Sequence, residues 1–238
     1  MDVYSLHPES IRKLFDSIAP GYDFLNHLLS FKRDSYWRKM AVRELKDLEG
    51  SILDVATGTG DVAVEIAHQN GHERKVFGLD FSGPMLRRAH KKLFKKNLSR
   101  SIALILGDAL SLPFRENSFN AAMIAFGLRN IPNKELALSE MIRVIKKKGK
   151  LVILEFTFPQ EGFVRRLYPI YFQRILPWVG GVISGDRGAY AYLPESVFRF
   201  QVAKDYEEMM RRSGFENVVS RRLTCGIASI ITGIKKQP

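Results

Sequence analysis

"SILDVATGTGD", Ser51 to Asp61, decides the fold. A short apolar run, Ile52 to Val55, enters a glycine-rich turn, and "VAVEIAHQN" behind it carries apolar residues at helical spacing that stop near Asn70-Gly71. The same alternation continues outward. "KVFGLDF" (75–81) reads as a strand, "GPMLRRAHKKLFKKN" (83–97) as a helix, "IALILGDA" (102–109) and "FNAAMIAFGL" (119–128) as strands, "NKELALSEMIRVIKKKG" (133–149) as a helix and "KLVILEFTF" (150–158) as a strand. Continuous apolar strands separated by amphipathic helices predict a mostly parallel sheet covered on both faces, a doubly wound α/β fold.

On the N-terminal side, Ile11, Leu14, Phe15 and Ile18, then Phe24, Leu25, Leu28 and Leu29, then Trp37, Met40, Ala41 and Leu45 recur at helical spacing. Two or three short helices follow from this, with Pro20-Gly21 as the first break. On the C-terminal side the rhythm lapses after Pro159 into "FVRRLYPIYFQRILPWVGGVIS" (163–184), an aromatic-rich stretch broken by Pro169 and Pro177. A helix around Ala203 to Ser213 restores the pattern. Two closely spaced strand candidates then follow, "FENVVSRRL" (215–223) and "CGIASIITGIKK" (225–236), which should pair antiparallel and bring the sheet to seven strands. A single domain is expected, with a helical cap at 1–48, a core at 49–158, the aromatic insertion at 159–200 and a terminal helix and hairpin at 201–238.

The 238 residues suffice for one domain with a sizeable core. Thirty-seven Lys and Arg against twenty-five Asp and Glu give a net charge of +12, which favours an anionic partner surface. Much of it sits in "RRAHKKLFKK" (87–96), read as a solvated helix face, and no nucleic-acid motif accompanies the charge. A lone Cys225 excludes a disulfide framework and suits a reducing compartment. "MDVYSLHPES" has no apolar core and no run reaches the length of a membrane span, so a cytoplasmic protein is expected.

In open α/β sheets ligands bind beyond the carboxyl ends of the strands, near the point where strand order reverses. The first strand ends in the turn that holds Gly58 and Gly60, where the backbone can turn tightly and approach a ligand at a helix N-terminus. The second ends in Asp80, about twenty residues on, the place for an acid that accepts from both ribose hydroxyls. Asp80 also reads as a helix N-cap, although Ser82 fills that role equally well. The third ends in Asp108 and Ala109, whose carboxylate and backbone N–H can meet an adenine edge. Together these outline an adenine nucleoside. Asp61 directly after Gly60 would repel a diphosphate and suit a cationic ligand, which favours S-adenosylmethionine over a dinucleotide.

"DVATGTGD", Asp80, "GDALSLPF" and the terminal hairpin together resemble a class I S-adenosylmethionine-dependent methyltransferase. "FDSIAPGYDFLNHLLSFKRDSYWRK" (15–39), "FGLRN" (126–130), "RVIKKKGKLVILEFT" (143–157) and "YAYLPESV" (190–197) narrow the resemblance to the UbiE/MenG family, whose members methylate a ring carbon of demethylmenaquinol or of a ubiquinol precursor. The resemblance implies that Thr59, Asp80 and the Asp108-Ala109 pair hold the cofactor. Three positions depart from the family pattern: Asp34 where histidine is frequent, Lys148-Gly149 where Pro-Gly is usual, and Ala125 where some members carry a serine that touches the cofactor.

A ring carbon becomes nucleophilic when a hydroxyl of the hydroquinone loses its proton. Arg129 and Asn130 end the fourth strand, "IAFGLRNIP". A protonated Arg is a poor base, so Arg129 is expected to stabilise a phenolate and Asn130 to orient the ring or a water. Local carbonyl capping is the competing account of both. Tyr22 and Asp23 are expected over the site as a lid, and Tyr22 or a water is the candidate base. The implied substrate is a prenylated quinol, so the aromatic insertion with Arg165, Arg166 and Arg174 suits peripheral membrane contact, and equally a homodimer. Rival readings are a methyltransferase of the same fold acting on another small molecule or on RNA, and a nucleotide-binding module or NAD enzyme.

Overall fold

A computed structural model describes residues 8–19, 22–23, 27, 30, 32–70, 75–159 and 202–237. The aromatic insertion and the "YAYLPESV" segment, with the lipid and dimer expectations placed on them, lie outside the described residues.

The glycine-turn stretch folds as expected. β1 (Ile52–Val55) is buried at every position, runs into the turn, and is followed by α3 (Asp61–Asn70). A strand buried on both faces belongs at the centre of a parallel sheet. β1 does lie there, pairing in parallel with β2 (Val76–Asp80) on one side and β4 (Phe119–Ala125) on the other. β3 (Ile102–Leu106) extends the sheet beyond β2, and β5 (Ile145–Phe156) beyond β4. β7 (Ala228–Lys235) then runs antiparallel between β5 and β6 (Phe215–Leu223), giving seven strands in the order β3-β2-β1-β4-β5-β7-β6. The chain builds outward from β1 in one direction and returns to build outward from β4 in the other. The strand order therefore reverses between β1 and β4, where a crevice opens at the carboxyl edge.

Helices cover both faces. α2 (Arg33–Val42), α3 and α4 (Gly83–Lys95) contribute Trp37, Ala41, Ile66 and Leu93 to one apolar cluster. α5 (Lys134–Val144) and α6 (Ala203–Arg212) contribute Leu138, Met141, Tyr206 and Met210 to the other. α1 (Pro8–Ile18) packs on α4.

One boundary differs from the sequence expectation. The helix expected to run to Gly149 ends at Val144, and the chain is extended from Ile145. Ile145 is fully buried and pairs with Phe119, whereas Lys146 to Lys148 are exposed, so apolar burial and strand pairing overrule the helix propensity of the lysines. The register jumps between Phe119/Ile145 and Ala121/Lys150, with Lys148 at φ 60°, a value that no proline reaches. A proline in place of Lys148 could not take up this turn.

Candidate active site

At the carboxyl edge, across the β1/β4 crevice, lies an open cavity with about 790 Å³ of empty space, open solvent at its mouth included. Its floor is built from strand ends: Ala56 and Gly58 after β1, Asp80 and Phe81 after β2, Asp108 and Ala109 after β3, and Ala125, Phe126 and Asn130 at and after β4. Ile11 and Phe15 of α1, with Tyr22, come from the N-terminal segment. Leu79, Met85, Leu110 and Ile131 add apolar wall.

The glycine turn is held from below. Gly58 has φ 57° and Gly60 φ 85°, and a Cβ at Gly60 would stand 3.2 Å from the Ala89 Cβ of α4. Both positions thus favour glycine, the second also because two backbones approach closely. The Gly58 N–H donates to Asp80 Oδ2 at 2.7 Å and the Ser82 N–H to Asp80 Oδ1 at 2.9 Å. Ser82 caps α4 by accepting from the Met85 N–H, so Asp80 is not needed for that task. Burial pushes the Asp80 carboxyl above the usual range despite the backbone N–H groups of Ser82, Gly58 and Phe81, and the Asp16 carboxylate adds to the rise. Beneath the turn Asp54 is also buried. Desolvation, with Asp80 nearby, raises it to about 7, although Thr57 Oγ1 donates to it at 2.5 Å.

Beside this turn runs a polar network that ties the N-terminal segment down. Lys92 of α4 donates to Asp23 at 2.7 Å, to Thr59 Oγ1 at 3.1 Å and to Asp61, and Thr59 Oγ1 donates to Asp23. Arg38 of α2 lies 3.8 Å from Asp61 and pairs with Asp34, which also meets Ser30 and His27. Burial pushes Asp23 and Asp34 up, but the bonds from Lys92 and Thr59 to the first, and from Arg38, Ser30 and His27 to the second, outweigh it and hold both below the ordinary value. The Asp34 that departs from the family's histidine is therefore the centre of an internal cluster. Asp61, expected to face a cationic ligand, is instead met by Lys92 and Arg38 and is not among the lining residues, because the first turn of α3 faces α4 and α2 there. The Asp61 charge is thus met within the chain and does not line the cavity.

The end of β4 is strained and clamped. Ala56 (φ 55°) and Phe126 (φ 57°), each directly after one of two adjacent strands, are both left-handed non-glycine residues, and a Cβ at Gly127 would come 2.8 Å from the Ala56 Cβ. Such conformations persist only where the surroundings over-determine them. Here the Arg129 guanidinium donates to the Phe126 carbonyl at 2.6 Å and to Glu155 Oε1 at 2.7 Å, while the Arg129 and Phe156 N–H groups donate to the same fully buried carboxylate. The Phe126 ring packs on Phe156 at 4.6 Å, with Arg38 over Phe126 and Arg129 over Phe156. Trp37, edge-on to Phe156, donates from its indole to Thr224 at 2.8 Å.

Of the expected site residues, Gly58, Asp80, Asp108, Ala109, Asn130 and Tyr22 line one cavity. Thr59, Gly60 and Arg129 are not among its lining residues: the Thr59 hydroxyl is turned to Asp23 and Lys92, Gly60 to α4, and Arg129 to Glu155. Sequence reasoning missed Glu155 and Asp54. An acid inside an apolar strand was the available signal for both.

The strand order with its single antiparallel insertion, and a site at the β1/β4 reversal, define the class I methyltransferase architecture. A solved structure of an S-adenosylmethionine-dependent methyltransferase from Thermotoga maritima superposes with a TM-score of 0.68, at 22% identity, covering 95% of this chain and all of that one. The profile of the ubiE/COQ5 methyltransferase family matches residues 3–235, and the chain belongs to that family. A ubiquinone/menaquinone biosynthesis C-methyltransferase of Geobacter sulfurreducens is 43% identical over 95% of this chain and 89% of its own length. A demethylmenaquinone methyltransferase of Thermus thermophilus is 45% identical over 92% of this chain and 99% of its own.

Proposed function

We propose that this chain is an S-adenosylmethionine-dependent C-methyltransferase of quinone biosynthesis, acting on the ring of demethylmenaquinol or a ubiquinol precursor. The observation that carries the reading is one cavity that joins a nucleoside-type wall, Asp80 to Ala109, to a second wall at Phe126, Asn130 and Tyr22.

The residues present fit the cofactor. Asp80 takes backbone N–H groups on both oxygens, Gly58 on Oδ2 and Ser82 on Oδ1, and the two oxygens of a carboxylate have about four acceptor sites between them, which leaves room for a ribose diol. Asp108, fixed in its turn by the Leu110 N–H donating at 2.9 Å, stands beside Ala109 and the apolar side chains of Leu79, Met85 and Ile131, as an adenine ring requires. When bound, S-adenosylmethionine supplies an electrophilic methyl group on a sulfonium.

The chain's own residues prepare the acceptor. Asp80 and Asp108 belong to the cofactor wall, so among the titratable side chains lining the cavity Tyr22, as the phenolate left once its own proton has gone to solvent, accepts the hydroxyl proton, directly or through a water that Asn130 orients. Arg129 acts differently from the sequence expectation. Its guanidinium is engaged by Glu155 and the Phe126 carbonyl, so it fixes the shape of the loop that presents Asn130 instead of touching a phenolate. The prenyl tail brings the enzyme to the cytoplasmic face of a membrane as a peripheral protein; no helix among the described residues is long and apolar enough to cross one.

The test is transfer of a labelled methyl from S-adenosylmethionine to a short-tailed demethylmenaquinol under reducing conditions. Transfer is expected; none to that acceptor or to a ubiquinol precursor overturns the reading.

A further inference from the structure

Between Phe81 and Gly107 the chain carries seven Lys and Arg and no acid. α4 is the centre of this segment. Met85, Ala89 and Leu93 are its buried stripe, at i, i+4 and i+8. At 100° per residue the opposite side is Arg87, Lys91 and Phe94, flanked by His90 and Lys95, all exposed. A charge run alone is a solvated helix face. Phe94 departs from that pattern, because at 72% exposure it is the most exposed of the large apolar side chains described and stands among the cations. Next comes Leu106, 65% exposed, at the carboxyl end of the edge strand β3. By strand alternation it shares the face of Ile102 and Leu104, which cluster with Leu93 of α4. Leu106 precedes Gly107 and Asp108, which line the cavity, and Met85 in the first turn of α4 lines it too, about 13 Å along the helix from Phe94. Cationic, apolar and cavity-rim residues therefore share one edge of the molecule.

We propose that this edge, the outer side of α4 with Leu106, is the surface by which the enzyme docks on anionic phospholipid. Arg87, Lys91 and Lys95 meet the headgroups while the ring of Phe94 enters the interfacial layer, the combination that holds a peripheral helix in the plane of a membrane. Docked so, the rim residues Met85 and Gly107 lie on the edge that meets the phase in which a prenylated acceptor resides. The inference rests on the quinol reading and deepens it by naming the contact.

The full chain is titrated with vesicles of phosphatidylcholine containing about 30 mol % phosphatidylglycerol, and with phosphatidylcholine alone. Binding to the anionic vesicles is expected, lost at about 0.5 M salt. Lys91→Glu/Lys95→Glu should weaken it about twentyfold, while Lys204→Glu/Arg212→Glu, an equal charge change on the exposed side of α6 beyond the other face of the sheet, should change it less than about threefold. Phe94→Trp should show a blue-shifted emission on the anionic vesicles. Equal loss in the two charge variants, or an emission from the Phe94→Trp variant that stays unshifted, overturns the α4 surface while leaving membrane docking in place. A wild-type chain that ignores the vesicles overturns both, and one that binds a single-stranded oligonucleotide through these lysines instead makes the edge a nucleic-acid surface. Methyl transfer to the short-tailed acceptor without lipid is unchanged in the α4 variants and reports separately on the catalytic reading.

Discussion

At the end of β2 and near the end of β5 the chain buries a carboxylate, Asp80 at 5% exposure and Glu155 at 0%. Glu155 is met by a guanidinium, 2.7 Å away, and by the N–H groups of Arg129 and Phe156. Asp80 is met by backbone N–H groups and stands near two further acids, Asp54 and Asp16. Glu155 is compensated by a full positive charge from its own chain, and it holds structure. Asp80 is compensated only in part, so that its carboxyl is pushed up by burial, and it lies open to a cavity. An under-compensated buried acid is what a binding site for donors requires before its ligand arrives.

The comparison breaks first at Arg129. Arg129→Met strands the Glu155 charge with no cation, and unfolding should become easier by about 3–5 kcal/mol in denaturant titrations. Adding Glu155→Leu should recover most of that loss, because the stranded charge goes with it. If Arg129→Met is as stable as the wild type, Glu155 is not a compensated structural acid.

Asp80→Asn is expected to do the reverse. Stability should hold or improve, since a raised carboxyl is replaced by a neutral amide. Affinity for S-adenosylhomocysteine by calorimetry should fall about 100-fold, the scale of two charge-assisted hydrogen bonds. Asn130→Ala, on the opposite wall, should leave that affinity unchanged and lower kcat about tenfold or more. Equal losses of cofactor affinity in the two variants would erase the division of the cavity into two walls.

The pH dependence sharpens the same contrast. Asp54 is raised from 3.8 to about 7, so the folded chain keeps a proton that the unfolded chain releases near pH 3.8. Its contribution to stability is therefore full below about pH 4, declines as pH rises, and is lost above about 7. Asp54→Asn should flatten the fall in denaturation midpoint between about pH 4 and 7 and be the more stable protein at pH 8. An unchanged slope would mean that Asp54 is ionised in the fold.

The fold was legible in the sequence because strand, turn and helix each leave a local period, and the closely spaced final strands announce their antiparallel pairing. Asp80, Asp108, Ala109 and Asn130 were legible because chain position alone puts them at strand ends. What a side chain faces there is set by partners distant in sequence, and those left little trace. Nothing in "RRAHKKLFKK" marks Lys92 as the cation that takes Asp23, Thr59 and Asp61, nor does "FGLRN" say that its arginine belongs to Glu155. The helix that ended early at Val144 failed for the same reason, since pairing of Ile145 with Phe119 is a tertiary fact.

Thr59 gives the smallest and most discriminating case. It sits in the glycine turn between Gly58 and Gly60, and the family resemblance made it a cofactor contact. Its hydroxyl instead donates to Asp23 and accepts from Lys92, at 3% exposure, as part of the network that holds the N-terminal segment beside the turn. Thr59→Val keeps the shape of the turn and removes only that hydroxyl. Stability should fall by about 1 kcal/mol, the net worth of a hydrogen bond whose partners keep each other, since Lys92 and Asp23 remain 2.7 Å apart. Affinity for S-adenosylhomocysteine should change less than about threefold. A much larger loss of affinity with stability intact would return Thr59 to the cofactor wall beside Asp80, and the network would then be read as the support of a binding residue instead of a latch for the segment that carries Tyr22.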